Sequence, residues 1–156
     1  MSQPLTVTSD AFAEGGMIPP EHTCDGGDVS PGITVGGLPA NAGAWALLCD
    51  DPDAPGGDWV HWLVFNLPPS LTELARGTAP ETLQAQGARL GRNSWGNARY
   101  QGPCPPSGTH RYLFKTFTLD SPLDLPQGAS KAQFLAAAKG RVLAHSILTG
   151  RYARPR

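Results

Sequence analysis

The sequence predicts a mostly β domain that carries a few peripheral helices. Three apolar runs of strand length, at residues 44–50, 60–67 and 111–119, are each bordered by Gly, Pro, Asp or His. Gly and Pro number 19 and 16, while charged residues make up only 16% of the chain, below the roughly 25% of an average domain. This loop-rich composition favours a β protein over a helical bundle. The length suits one domain, residues 1–156, with a sizeable core.

Before the first long run, the chain combines two short strands with an irregular excursion. Residues 5–9 and Ile33–Val35 are typical of short strands. The second of them lies inside a segment, residues 15–37, that Gly and Pro pairs interrupt repeatedly. Loops of this length in compact domains are usually functional or held by their own packing.

The three long runs predict buried strands. The run at 60–67 is apolar on both faces, which indicates a central strand. Simple alternation places His61 on the same face as Leu63 and Phe65, opposite Trp62. We expect the run at 111–119 to join the same sheet, so that His61 and His110 meet at one end of it.

The C-terminal part predicts a helix. Residues 76–97 show no sustained period and are expected to be mostly loop. Ser130 to Gln133 has the pattern of a capping box. Apolar residues then recur at helical spacing as far as Val142, and His145 continues the period, so the predicted helix spans residues 131–146.

Charge and hydropathy exclude several classes of protein. The formal net charge is −1 and no basic run is present, so nucleic acid is not expected as a partner. No apolar stretch is long enough to cross a membrane and no secretory signal is visible, which predicts a cytoplasmic protein. Three cysteines, an odd number, predict reduced thiols. Cys24 and Cys104 lie in loops beside Gly or Pro, where the distance between them is open.

Two carboxylates follow the first long run. Asp51 and Asp53 share a loop that Pro52 and Pro55 stiffen, because proline fixes φ and lacks an N–H donor. A stiff loop at a strand end can hold a carboxylate in one place, as a binding site requires. The alternative is a local turn in which the carboxylates accept backbone N–H bonds.

Two histidines and a tyrosine lie near the ends of the other two runs. His61 could equally be a core residue with satisfied hydrogen bonds, and His110 a turn residue. Tyr112 follows two residues later, on the same strand face as His110. Trp59 could form a pocket wall, and the Cys104 thiol lies in the Pro-rich loop before His110.

These pieces together resemble the phosphatidylethanolamine-binding protein family, most closely its bacterial, Raf-kinase-inhibitor-like branch. The resemblance rests on Asp50-Asp51-Pro52-Asp53-Ala54-Pro55, on His61-Trp62, and on Gly102-Pro103-Cys104-Pro105-Pro106 with His110-Arg111-Tyr112. It extends from Ser9 to Tyr152. It implies a two-sheet antiparallel β-sandwich of Greek-key type with peripheral helices. It also implies a cis peptide bond before Pro55 and, as a second candidate, one just before Trp59.

The resemblance also implies a pocket for phosphate-type groups, such as phospholipid headgroups or phosphorylated side chains. The residues that match the family's pocket are Asp51, His61, Gly102, Pro103, His110 and Tyr112, with Trp59, Asp53 and Cys104 as candidate wall residues. No cofactor and no metal are implied. Members of the family are linked to the regulation of kinases or proteases, and a homodimer fits the bacterial branch.

Two other functions remain open at this point. An Asp and two His could support acid–base hydrolysis, although no nucleophile is evident apart from Cys104 or a serine brought close by the fold. His and Asp side chains are also common metal ligands, so a metal-binding protein is the other alternative. Esterase, phosphate-loop and His-Glu-x-x-His motifs are absent from the sequence.

Overall fold

The computed structural model describes residues 4–155, which form two antiparallel β-sheets with short helices around them. The strands are β1 (Thr6–Thr8), β2 (Ile33–Gly36), β3 (Ala44–Asp51), β4 (Trp59–Leu67), β5 (Glu73–Leu74), β6 (Arg89–Leu90), β7 (His110–Leu119) and β8 (Val142–Tyr152). The helices are a 3₁₀ turn at Pro20–His22, α1 (Pro80–Ala85) and α2 (Lys131–Ala138). The predicted mostly β class is confirmed.

The larger sheet determines where the site lies. Its strand order is β6-β4-β3-β7-β8, while the smaller sheet has the order β1-β2-β5. Strand β3 is buried at every position because it pairs antiparallel with both β4 and β7. Antiparallel pairing brings the C-terminal end of β3 beside the first residues of β4 and β7. Three chain segments therefore converge at one end of the sheet.

Apolar side chains cover both faces of the larger sheet. One face packs against the smaller sheet, with Trp45, Trp62 and Phe114 among the buried residues of that core. The opposite face packs against α2, where Phe65 and Phe134 are fully buried. Burial on both faces explains why the central strands read as continuous apolar runs.

A β-bulge at the start of β4 changes the face on which His61 lies. Cys49 pairs with Trp62 but Asp50 pairs with Val60, so one extra residue is inserted in β4. Val60 consequently packs with Leu63 in the core under α2, and His61 contacts Tyr112 on the side of the smaller sheet. The predicted alternation, with His61 on the face of Leu63, is wrong because a bulge interrupts the two-residue period.

The prediction of a helix over residues 131–146 is correct only in its first half. The capping box at Ser130 and Gln133 is present and α2 begins at Lys131, but the helix ends at Ala138. Gly140 has a positive φ of 80°, which reverses the chain. Val142 and His145 then belong to β8, because pairing with β7 along the whole strand outweighs the helical spacing.

The stretch 76–97 is mostly loop, as expected, and it also contains the short α1 and β6. One further expectation is corrected. No cis peptide bond occurs within residues 4–155, so the expectation of one before Pro55 or Trp59 is wrong. The turn between β3 and β4 uses Gly56 and Gly57 instead, whose φ values of 83° and 114° suit glycine.

No helix within residues 4–155 is long and apolar enough to cross a membrane.

Candidate functional site

A cavity of about 290 Å³ opens at the end of the larger sheet where β3, β4 and β7 converge. Its polar lining residues are Asp51, His61, His110 and Tyr112. Its other walls are formed by Ala54, Pro55, Trp59, Trp95, Cys104, Pro105 and Pro106. A mostly apolar cavity with a few convergent polar groups is the usual form of a small-ligand site.

A wider depression elsewhere on the surface of residues 4–155 lacks titratable side chains. It measures about 820 Å³ and lies beside Leu38, Asn41 and Leu143, among others, with no titratable side chain in its lining. The smaller cavity is therefore the better candidate site, since size alone supplies no chemistry.

His110 is oriented by Asp51. Its Nδ1 lies 2.7 Å from Asp51 Oδ2, and the two side chains are 9% and 5% exposed. The other oxygen, Oδ1, accepts the backbone N–H of Asp53 at 2.8 Å. Asp51 therefore accepts a local backbone N–H, as the turn alternative expects, and it also lies at the cavity, where it orients His110. Because the carboxylate only accepts, Nδ1 carries the proton and Nε2 is left toward the cavity.

His61 is oriented by the main chain. Its Nδ1 lies 2.7 Å from the carbonyl oxygen of Gln101, and its own carbonyl accepts the N–H of Gln101 at 3.1 Å. Burial lowers the pKa of His61 below its ordinary value, and the carbonyls of Gln101 and Gly102 and the charge of Asp51 partly oppose this shift. His61 thus favours the neutral form.

Tyr112 presents a buried hydroxyl without a partner. Its side chain is fully buried, and Oη makes no hydrogen bond within residues 4–155. Burial raises the pKa of Tyr112 well above its ordinary value, and the charge of Asp51 adds to the effect. The group therefore stays a neutral hydroxyl. Buried polar atoms are nearly always paired, so an orphan hydroxyl at a cavity points to a ligand.

Two indole rings form the mouth of the cavity. Trp59 and Trp95 are 36% and 42% exposed and meet edge to face at 5.3 Å between centroids. Trp95 also lies 5.2 Å from the ring of His61. Sequence reasoning identified Trp59 but missed Trp95. The available signal was a large aromatic residue within a polar turn, which Asn93 closes by accepting the N–H of Trp95 at 3.0 Å.

Gly102 and Pro103 lie behind the cavity rather than in its lining. The N–H of Gly102 donates to Asp28 Oδ1 at 2.8 Å, and the carbonyl of Pro103 accepts the N–H of Cys24 at 3.1 Å. A Cβ on Gly102 would lie 2.0 Å from the carbonyl oxygen of His22, so only glycine allows this approach. These residues hold the loop that carries the cavity wall.

Asp53 faces away from the cavity lining. Its two oxygens accept from the side chain of Arg111, at 2.9 and 3.0 Å, and from the Arg111 backbone N–H at 2.9 Å. These bonds lower the pKa of Asp53 to about 2. Arg111 therefore forms an ion pair, and its partner is the residue considered for the pocket wall.

The expectation of three reduced thiols is wrong in this structure. Cys24 and Cys104 form a disulfide with a Cα–Cα distance of 5.5 Å, and only Cys49 is a free, buried thiol. The bond ties the loop that carries the cavity wall to the segment after the 3₁₀ turn. It also occupies the sulfur of Cys104, which was considered as a nucleophile.

A metal centre finds no support in the described chain. Within residues 4–155, no group of three or more His, Cys, Asp and Glu side chains is arranged to hold a metal ion. The neighbours of Asp51 and of the two histidines are instead hydrogen-bond partners and aromatic rings.

Comparison with known sequences shows extensive similarity. The profile described as "Phosphatidylethanolamine-binding protein" matches residues 8–153. A UPF0098 protein of Methanothermobacter thermautotrophicus is 44% identical over 150 residues, which cover 96% of this chain and 99% of the relative. A UPF0098 protein of Aquifex aeolicus is 39% identical over 153 residues, covering 96% and 89% of the two chains.

Two solved structures share the fold. A phosphatidylethanolamine-binding protein homologue of Chlamydia trachomatis, CT736, superposes with a TM-score of 0.91 at 35% identity, covering 99% of this chain and 100% of its own. YbcL of Escherichia coli, described as a member of the mammalian family, superposes with a TM-score of 0.90 at 30% identity, covering 98% and 100%.

Proposed function

Because the chain belongs to the phosphatidylethanolamine-binding protein family, we propose that its cavity binds a small anion of the phosphate-ester type. The observation that supports this most directly is the set of polar atoms that no protein group satisfies. Nε2 of His61, Nε2 of His110 and Oη of Tyr112 belong to residues that line one cavity, and none of the three makes a hydrogen bond within residues 4–155. An anionic ligand oxygen can accept from the Tyr112 hydroxyl and from an imidazole Nε2 that carries a proton, while a protonated ligand oxygen can donate to an Nε2 that does not.

The surroundings strengthen such contacts. The walls of proline and tryptophan keep much of the cavity apolar, and hydrogen bonds to a charged group gain strength where water is excluded. Asp51 holds His110 in one tautomer and one orientation before a ligand arrives. Binding then requires little ordering of side chains, which lowers its free-energy cost.

The proposed ligand chemistry has more than one source. A free headgroup such as phosphoethanolamine and the phosphorylated side chain of a protein both present a phosphate monoester. The second source would connect the cavity to the regulation of a kinase or a protease. That regulation, a homodimer and a cytoplasmic location stay predictions.

Calorimetric titration with phosphoethanolamine at pH 6.5 tests the proposal. In His110→Asn the new amide nitrogen can take the place of Nδ1 and keep the bond to Asp51, while Nε2 is lost. We expect the affinity to fall by about 10- to 150-fold, the effect of one charge-assisted hydrogen bond of roughly 1.5–3 kcal/mol.

His145→Gln provides the matched control, because His145 is an exposed residue of β8 outside the cavity lining. The control should bind like the wild type. The proposal is wrong if the wild-type protein does not bind phosphoethanolamine, or if His110→Asn binds it equally well.

A further inference from the structure

The two histidines of the cavity have different partners. His61 Nδ1 faces a main-chain carbonyl, which can only accept a hydrogen bond. Nδ1 must therefore carry the proton, and in the neutral ring Nε2 is a lone pair that accepts rather than donates. The fold fixes this arrangement through two hydrogen bonds between the residues. The Gln101 carbonyl accepts from the His61 side chain, and the Gln101 N–H donates to the His61 carbonyl.

His110 shares the tautomer but not the electrostatic surroundings. Its Nδ1 faces a carboxylate, so a second proton on Nε2 would form an imidazolium–carboxylate pair with Asp51. Asp53 is a second carboxylate near His110, and the ion pair between Asp53 and Arg111 neutralises its charge. Around His61, the charged neighbours are Asp51 and Asp28, and the Gly102 carbonyl acts on the ring in addition to that of Gln101. The rings of Tyr112 and Trp95 complete the packing. Burial there opposes a charge on the ring.

We propose that the two imidazoles have opposite hydrogen-bond roles: His110 donates from Nε2 and His61 accepts at Nε2. The cavity then takes an oxyanion that is itself half protonated, such as the monoanion of a phosphate monoester. One P–OH group donates to His61, while the anionic oxygens accept from His110 and from the Tyr112 hydroxyl. This inference rests on the proposed function and specifies the ligand class of the same site.

The proton count defines the ligand class. A phosphate monoester has its second pKa near 6, so it can supply the proton close to neutral pH. Donation from Nε2 of His110 requires that both nitrogens of that ring carry a proton. With His110 in that form, the complex formed from the monoester monoanion and neutral His61 is the same as that formed from the dianion plus one proton from solution. A sulfate monoester or a phosphate diester carries a single negative charge but no such proton. Both should therefore leave His61 without a donor.

Methyl phosphate and methyl sulfate are a matched pair of probes, because they differ at the cavity mainly in this proton. At pH 6.5 we expect the wild type to bind methyl phosphate about tenfold more tightly than methyl sulfate, the effect of one hydrogen bond. Dimethyl phosphate should resemble methyl sulfate. A preference for the diester would point to a lipid headgroup and overturn the inference.

His61→Gln is the decisive variant. Its terminal amide can reach the position of Nε2 and rotate to donate, but it cannot take up a proton. Methyl sulfate should therefore bind it more tightly than it binds the wild type. Calorimetry of methyl phosphate at pH 7.5 in buffers of different ionisation enthalpy should show proton uptake smaller by about one proton per ligand than in the wild type. His145→Gln is again the control and should match the wild type in both measurements.

Nitrogen NMR of labelled, ligand-free protein provides a readout that does not depend on affinity. At neutral pH, His61 should show a protonated Nδ1 and an unprotonated Nε2. If His61 instead carries its proton on Nε2, or if His61→Gln leaves proton uptake and anion preference unchanged while anions still bind, the inference fails and the proposed function stands. If no phosphate ester binds to the wild type, the proposed function itself fails.

Discussion

At the scale of single residues, the site is marked by polar groups whose partners are fixed on one side and missing on the other. Asp51 uses both of its oxygens within the protein, and His61 uses Nδ1. Tyr112 uses neither role of its hydroxyl within the described chain. Such an unsatisfied group lowers the stability of the fold by about 1–3 kcal/mol. A protein can retain the group where a bound ligand supplies the missing hydrogen bond.

Tyr112→Phe should therefore separate stability from binding. Removing the orphan hydroxyl should raise the free energy of unfolding in urea by about 1 kcal/mol or more, while phosphoethanolamine affinity falls about five- to tenfold. Tyr100→Phe is the matched control, because the Tyr100 hydroxyl donates to the His22 carbonyl at 2.6 Å in a buried position. That variant should lose stability. A loss of stability in Tyr112→Phe would show that its hydroxyl has a partner in solution.

The ion pair between Asp53 and Arg111 should give the stability a pH dependence. Hydrogen bonds from Arg111 hold the pKa of Asp53 at about 2, below its ordinary 3.8, so folding favours the ionised carboxylate. This contribution is complete above pH 3.8 and is lost as the pH falls toward 2. In urea titrations, the wild type should be more stable than Asp53→Asn at pH 6, and the difference should shrink as the pH falls from 3.8 through 2. A constant difference would contradict the assignment.

At the scale of secondary-structure elements, irregularities place the functional side chains. The bulge in β4 turns His61 toward Tyr112, and Gly140 separates α2 from β8. Without the reversal at Gly140, a helix that continued to residue 146 would remove β8, one of the two strands that pair with β7. Ten residue pairs between β7 and β8 would be lost if the chain did not reverse at Gly140.

Gly140→Ala tests this boundary. A Cβ at Gly140 would meet no atom within 4 Å, so the expected cost comes from its positive φ alone. We expect the free energy of unfolding to fall by about 1–2 kcal/mol, with circular dichroism unchanged. Gly140→Asn should lose less, because Asn tolerates the left-handed region better. Equal losses in the two variants would indicate a cause other than backbone strain.

At the scale of the whole molecule, the cavity depends on contacts between segments far apart in sequence. The loop around Cys104 is held by the disulfide to Cys24, 80 residues away, by the Gly102–Asp28 bond and by the Tyr100–His22 bond. The rigidity of the cavity wall around Cys104 therefore depends on these three attachments to residues 20–28.

Removing the disulfide should loosen that wall. Cys24→Ser combined with Cys104→Ser should lower the free energy of unfolding by about 2–5 kcal/mol, as expected when a cross-link closes a long loop. Thiol titration of the denatured wild type should find one free thiol, Cys49, and three after reduction. Three free thiols without reductant would show that the bond is absent in solution.

Composition and local pattern are enough to predict the mostly β class and the strands β3, β4 and β7, because buried strands are properties of a few consecutive residues. The polar residues that line the cavity are indicated only by the family resemblance, since the residues alone leave His61 open as a core residue and His110 as a turn residue. The face of His61, the place of Trp95, the end of α2 and the disulfide are different. Each depends on pairing or packing between distant segments, whose energies outweigh a local period. These contacts between distant segments exist only in the folded chain, so the sequence pattern alone does not show them.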